Sequence, residues 1–323
     1  MPVVPSILNK VYEGVALPKC LYGMEVVPIN ERGLEEIEKA HRGMSKLVQN
    51  LPTNTPNSSH LAVVGWHTLD TRISIMKLSF LWRILCLPID NIYRRIITFV
   101  LQLCLNDDNY VNLSSPTYSI FTYVRRYNLI DVLNGSLYSD NEGQISAYKK
   151  IIKNTVYSYE TNCWKATIFL FHKGPLYNSC VMNIQMHAWW LFAKSFPSYY
   201  RQVSSVIALF CGTQPKFSQC NFDNLLCELC CERQLDNPLH VLFECSSLEV
   251  LRNISLCKIR LAMPYAMRRE FIDMSNSSKC CFILSAFNSE YCSEWNVLYK
   301  LISTFVFEMY KERKRKYDDK AVE

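Results

Sequence analysis

The stretch Leu69-Asp-Thr-Arg72-Ile-Ser-Ile-Met76-Lys77-Leu-Ser-Phe80-Leu-Trp-Arg83-Ile84-Leu-Cys-Leu87 decides the fold class. Ile73, Met76, Phe80, Ile84 and Leu87 recur at intervals of three and four, which lines one face of an α-helix and fits no strand. Asp70 and Thr71 are suited to cap its start, and Pro88 stops it. Arg72, Lys77 and Arg83 fall off that stripe and are expected on the helix surface.

The same signature spreads in both directions. Upstream, Asn30 is placed to cap a helix with Glu31, Glu35, Glu36 and Glu38 near its positive end. That helix turns Leu34, Ile37, Met44, Leu47 and Val48 to one side and ends at Leu51-Pro52. Downstream, 92–105 is nearly apolar all round after Arg94-Arg95 and is expected to be buried on most sides. Further helices are predicted at 7–22 (broken near Pro18), 60–64, 117–127, 130–133, 145–159, 163–171, 199–210, 247–260, 267–274 and 293–315. In the last, Trp295, Leu298, Ile302, Phe305 and Met309 share a face. Nine glycines in 323 residues are too few for many tight β-turns or a glycine-rich phosphate loop. The expected class is mainly α.

Apolar residues make up 49% and charged residues 20%, so the chain can bury a core and is not disordered as a whole. A net charge of +6 suits a nucleic-acid partner without requiring one. The amino terminus, Met1-Pro-Val-Val-Pro-Ser-Ile7, has no basic segment leading into an apolar one, so no signal peptide is read. The longest apolar stretch, 96–105, is interrupted by Thr98 and Gln102 and is too short to span a bilayer. An intracellular location, cytoplasmic or nuclear, is therefore expected, where thiols stay free or bind metal. No membrane contact and no small-molecule substrate is indicated.

Fifteen cysteines form no regular framework, with one exception. Cys227, Cys230, His240 and Cys245 have the spacing C-x2-C-x9-H-x4-C, four soft or borderline ligands within nineteen residues. Such a closed set suits one structural zinc ion, with no open position for hydrolytic chemistry. Cys231 adjoins Cys230 and can replace it, since C-x3-C is also a tolerated spacing. The polar loop from Glu232 to Pro238 lets the chain fold back, and zinc would contribute about 10 kcal/mol to a segment so poor in core. A disulfide among the same cysteines is the competing account.

The run Leu226-Cys-Glu-Leu-Cys230 … Asp236-Asn-Pro-Leu-His240-Val-Leu-Phe-Glu-Cys245, with Arg252 after it, resembles the zinc-binding tail of non-LTR (LINE-type) retrotransposon reverse transcriptases. Tyr200-Arg … Leu209-Phe-Cys-Gly212 is similar to the helix and glycine that lead into that motif. Near the amino terminus, Val11-Tyr-Glu-Gly-Val-Ala-Leu-Pro-Lys-Cys-Leu-Tyr-Gly-Met-Glu25 resembles the segment that begins the polymerase thumb. Leu34 … Leu51-Pro … Thr55-Pro … Gly65-Trp … Arg72 … Lys77-Leu-Ser-Phe-Leu81 resembles the thumb helices. The resemblance implies a thumb that clamps primer and template and a knuckle that engages RNA or DNA.

The palm's Tyr-x-Asp-Asp turn has no counterpart. Tyr317-Asp-Asp319 follows a basic helix with no strand around it, and Asp107-Asp108 sits in a loop. Two-metal phosphoryl transfer needs carboxylates that hold both ions, so no catalytic residue is assigned and no polymerisation is expected of this chain. Candidates for backbone contact with nucleic acid are Arg72, Lys77 and Arg83, together with Lys311, Arg313, Lys314 and Arg315 of the one basic run. His172 and His187 are read as core or surface histidines, and Trp189-Trp190 as packing rather than a stacking platform.

Four consecutive regions are expected: a thumb-like helical region (1–105), a helical connector (106–212), a CCHC knuckle (213–260) and carboxyl-terminal helices with a basic tail (261–323). The implied function is a palm-less reverse-transcriptase fragment that binds nucleic acid through zinc. The alternative is a zinc-stabilised helical scaffold that binds protein.

Overall fold

The computed structural model describes residues 5–106, 115–139, 141, 143–169, 184–213, 226–230, 234–286 and 292–320. Among them are fifteen α-helices and two isolated β-bridges, so the protein is mainly α as expected. They divide into two compact units, one drawn from 1–11, 42–66 and 166–323 and the other from 12–41 and 67–165. The units interleave along the chain, and each draws on more than one of the four regions expected from the sequence.

The second of these units contains α2 (Leu17–Cys20), the first part of α3 (Glu31–Val48), α5 (Leu69–Leu85), α6 (Ile92–Asn106), α7 (Pro116–Arg126), α8 (Ile130–Tyr138) and most of α9 (Ile145–Phe169). Asn30 Oδ1 accepts from Gly33 N at 2.7 Å and opens α3 as its sequence position predicts. The cap of α5 is Thr68, whose Oγ1 accepts from Thr71 N at 3.2 Å. Asp70 instead turns its carboxylate to Tyr123 and Arg126. Pro18 opens α2 rather than breaking the segment, since the first turn of a helix needs no proline N–H.

Of the stripe predicted for α5, Ile73 is fully buried, while Met76, Phe80, Ile84 and Leu87 lie at the margin of the buried surface. Leu78, Leu81, Trp82 and Leu85 sit in the main core with Leu101, Phe121, Val124, Leu133, Ile152 and Val156. Leu69 and Ile73 face a smaller cluster with Leu17 and Leu21. A helix buried on two sides has no single apolar face for periodicity to find. The opposite correction applies to α6, where Ile92, Tyr93, Ile96 and Phe99 are all more than half exposed while Leu101 and Cys104 are buried. Helix α9 runs unbroken through 160–162, which hold no Gly or Pro, and α8 continues past Gly135 to bury Leu137.

The other unit contains α1 (Pro5–Val11), α4 (Asn57–His60), α10 (Ala188–Ser195), α11 (Tyr200–Phe210), α12 (Glu249–Ala262), α13 (Tyr265–Asp273), α14 (Asn276–Leu284) and α15 (Asn296–Lys320). Its centre is α15, packed against α11 and α12. Leu298, Ile302, Phe305 and Met309 are buried, as their spacing predicts. Neither α10 nor α14 is predicted from the sequence. Trp189 and Trp190 are fully buried, and their indole N–H groups donate to Leu284 O and Gln49 Oε1, each at 3.1 Å. They are packing residues. His187 is the part-buried cap of α10, with Nδ1 accepting from Trp189 N at 3.3 Å, and desolvation pulls its pKa down to about 3. Gly65 takes a positive φ, and a Cβ there would lie 3.0 Å from Met186 N, beside the bridge that joins Val64 to Met186.

Candidate metal centre

A short antiparallel pairing begins the site. Leu226 bridges to Leu235, and Cys227 N donates to Gln234 O at 2.8 Å. Asn237 Oδ1 then accepts from His240 N at 2.8 Å and starts the turn that carries the other two ligands. His240–Glu244 wind as a π turn, closed by Cys245 N donating to His240 O at 2.7 Å. In an α-helix, positions five apart point about 140° from each other. The wider π turn brings His240 and Cys245 to one side.

One ligand atom from each of Cys227, Cys230, His240 and Cys245 lies within 4.8 Å of the others, and all four residues are buried. Cys227 Sγ is 4.0 Å from Cys245 Sγ, and Cys230 Sγ is 3.4 Å from His240 Nε2. Tetrahedral bonds of about 2.3 Å to sulfur and about 2.0 Å to nitrogen would separate ligand atoms by roughly 3.5–3.8 Å. The four groups therefore fit around one ion. They do not fit a disulfide, whose sulfurs lie about 2.05 Å apart, and all three cysteines are free thiols. Cys231, the alternative ligand, lies outside the described residues.

Electrostatics agree with the geometry. The hydrogen bond between the Cys227 and Cys245 sulfurs holds the pKa of Cys227 down while that of Cys245 is pushed up. One shared proton thus serves two sulfurs, where a divalent ion would stabilise both as thiolates. His240 Nδ1 points away from the sulfurs, is buried without a hydrogen-bond partner, and lies 3.9 Å from Glu244 Oε2.

Groups from elsewhere fix the frame. The Arg252 guanidinium donates to Cys245 O. Asp236, four residues before the histidine, forms a buried ion pair with Arg313 of α15. Glu228, between the first two cysteines, is held by its backbone: its N donates to Tyr317 Oη at 3.4 Å, and its O accepts from Lys320 Nζ at 2.7 Å. Val241, Leu242 and Phe243 are buried, with Phe243 edge-on to Phe305. Beside the site, a cleft of about 410 Å³ is lined by Glu244, Arg252, Asn253, Arg260, Phe271 and Lys279 among others.

The basic candidates fare unevenly. Arg83 is exposed on α5, Lys311 is exposed beside Glu308, and Lys314 is half-buried. Arg72 pairs with Glu13, and Arg315 is held by Glu312 and Asp319. Two are corrections. Lys77 is 1% exposed, with Nζ donating to Val27 O at 2.8 Å, and burial pushes its pKa down. Arg313 is fully buried against Asp236. Neither is presented to a phosphate backbone. Arg313 continues the buried series Leu298, Ile302, Phe305, Met309 by one further step of four, a signal that its place in a basic run conceals.

Tyr317, Asp318 and Asp319 lie within α15, and among the described residues no strand flanks them. Asp107, Asp108 and His172 lie outside the described residues. Among the described residues no helix is long and apolar enough to cross a membrane. Comparison with protein-family models, with curated proteins and with solved structures finds no match for this chain.

Proposed function

We propose that the chain is the thumb-and-knuckle part of a non-LTR retrotransposon-type reverse transcriptase, and that it binds nucleic acid with one structural zinc ion holding the knuckle. The observation that carries this reading is the convergence of Cys227, Cys230, His240 and Cys245 around one buried point. Three thiolates and an imidazole select zinc over oxygen-seeking cations, and a complete four-ligand set makes it structural. Asp236, Arg252 and the apolar triplet, which carry the sequence resemblance, all take part in the frame around that point. Arg83 and Lys311 are exposed, and Arg260 and Lys279 line the adjoining cleft, where a phosphate backbone would have to compete for them with Leu256 O and Ile272 O.

Labelled RNA and DNA oligonucleotides titrated across a salt series test the reading. Affinity should fall linearly with salt on logarithmic axes, and neutralising Arg260 and Lys279 should flatten the slope. Absence of binding at low salt, in protein that retains its zinc, would sink it. The second reading, a zinc-stabilised scaffold that binds protein, then stands. It is favoured by the withdrawal of Lys77 and Arg313 into the interior and by the exposed apolar row Ile92, Tyr93, Ile96 and Phe99.

A further inference from the structure

The basic run at the end of α15 reads as a solvated tail, yet Arg313 within it and Tyr317 and Lys320 after it reach the segment that carries the ligands. Arg313 pairs with Asp236, and its guanidinium lies 5.8 Å from the Tyr310 ring centre and 5.3 Å from that of Tyr317. Those positions, three before and four after, share one helix face. Tyr317 and Lys320, one and two turns further on, take the N–H and the carbonyl of Glu228. Glu228 sits between two ligands, so the end of α15 holds the backbone that aims Cys227 and Cys230.

Charge gives the arrangement a direction. Loading a Cys3His site replaces three thiol protons with one divalent ion, which leaves a cluster of net charge about −1. Asp236 adds a second negative charge close by, near enough for its carboxylate and the Cys227 thiolate to repel. Arg313 is the buried cation that pairs with Asp236, while Arg252, also buried, sits on the Cys245 carbonyl. The Arg313 side chain is 0% exposed, so water screens its charge little.

We infer that the end of α15 is the outer shell of the metal centre, with Arg313 a positioning residue that favours the zinc-loaded state, and that zinc in turn docks residues 313–320. The inference rests on the ligand set and not on nucleic-acid binding. Outer-shell partners of a metal site typically change affinity 10–100-fold when removed.

The test uses the full zinc-loaded chain and a chromophoric chelator, with far-UV circular dichroism to confirm folding. Arg313→Met should release zinc at least tenfold faster, and Arg313→Lys, which keeps the charge but not the fork, should recover part of the loss. Release within twofold of the parent in folded Arg313→Met overturns the inference. Should that variant fail to fold, Lys320→Ala decides, because its ammonium is at the surface: severalfold faster release is expected, and an unchanged rate overturns the proposal. Amide exchange gives an independent reading. Chelation should raise exchange in 313–320 together with 227–230, and a tail that stays protected counts against docking by zinc. A parent chain carrying no zinc overturns the ligand set and this inference together. A parent chain without zinc would also remove the ion from the proposed function; the other outcomes leave the nucleic-acid reading untouched, and the salt series decides it.

Discussion

Residues 67–165 and residues 226–245 solve the problem of staying folded by different means. The first region buries Leu78, Leu81, Trp82 and Leu85 of α5 among side chains of four further helices, and apolar area alone can hold it. The second is a short antiparallel pairing and one π turn, whose own apolar contribution is mainly Val241, Leu242 and Phe243. It compensates with convergent ligands, an ion pair and backbone clamps. Each region is also joined to a buried cation drawn from a sequence that looks like surface, Lys77 within the first and Arg313 of α15 against the second. Lys77 ends on a neutral carbonyl and Arg313 on a carboxylate. A core-rich region tolerates a lysine whose stem packs and whose tip finds one acceptor. A core-poor one needs opposite charges held in register.

The largest effect should come from the metal. Replacing His240 with Ala should lower zinc occupancy below one ion per chain in native mass spectrometry and unfold 226–245, at a loss approaching the roughly 10 kcal/mol such sites contribute. Amide protection in α5 to α9 should survive. If α5 melts with the knuckle, the contrast between the two regions collapses.

Acid should act next. His187 is held neutral with a pKa near 3, against 6.5 for the free side chain, so the unfolded chain binds a proton the folded chain refuses. Stability contributed by this group is complete above about pH 6.5 and falls as pH drops toward 3. His187→Asn keeps a capping side chain and should flatten that part of the urea-midpoint profile against pH. A variant with the parent's acid slope would show that some other group carries it.

In α5, Leu81→Ala should cost about 2–5 kcal/mol in urea unfolding by opening a cavity in the main core, with zinc stoichiometry unchanged. The smallest effect tests the corrected cap. Thr68→Ala should cost about 1 kcal/mol, and Thr71→Val, which retains the backbone N–H that Thr68 accepts from, should cost less. The reverse order would restore Thr71 as the cap.

Much of this was legible in the chain because the physics is local. Ligand spacing selects a metal site from four residues and the loop between them, and Asn30 announces a cap by its place before an acidic first turn. What escaped depends on partners far away. Lys77 finds its acceptor fifty residues upstream, and Asp236 meets Arg313 across 77 positions. Helix α10 is apolar almost all round and too short for its period to register. Helix α14 opens Asn-Ser-Ser, residues with poor intrinsic preference, and is stabilised instead by Ser275 accepting from Ser278 N. On α6, composition overstated burial, because hydrophobicity cannot say which faces a neighbour covers.

The buried pair between Arg313 and Asp236 has a consequence for how experiments on this protein are designed. A short cationic cluster such as Lys311–Lys316 invites deletion, or charge-reversal in bulk, as a trial of cellular address or of polyanion affinity. Such a deletion would take Arg313 with it and leave Asp236 without its counter-ion. A lost phenotype would then report a dismantled knuckle and be mistaken for a lost label. Substitutions confined to Lys311 and Lys314, with Arg313 left in place, separate the two.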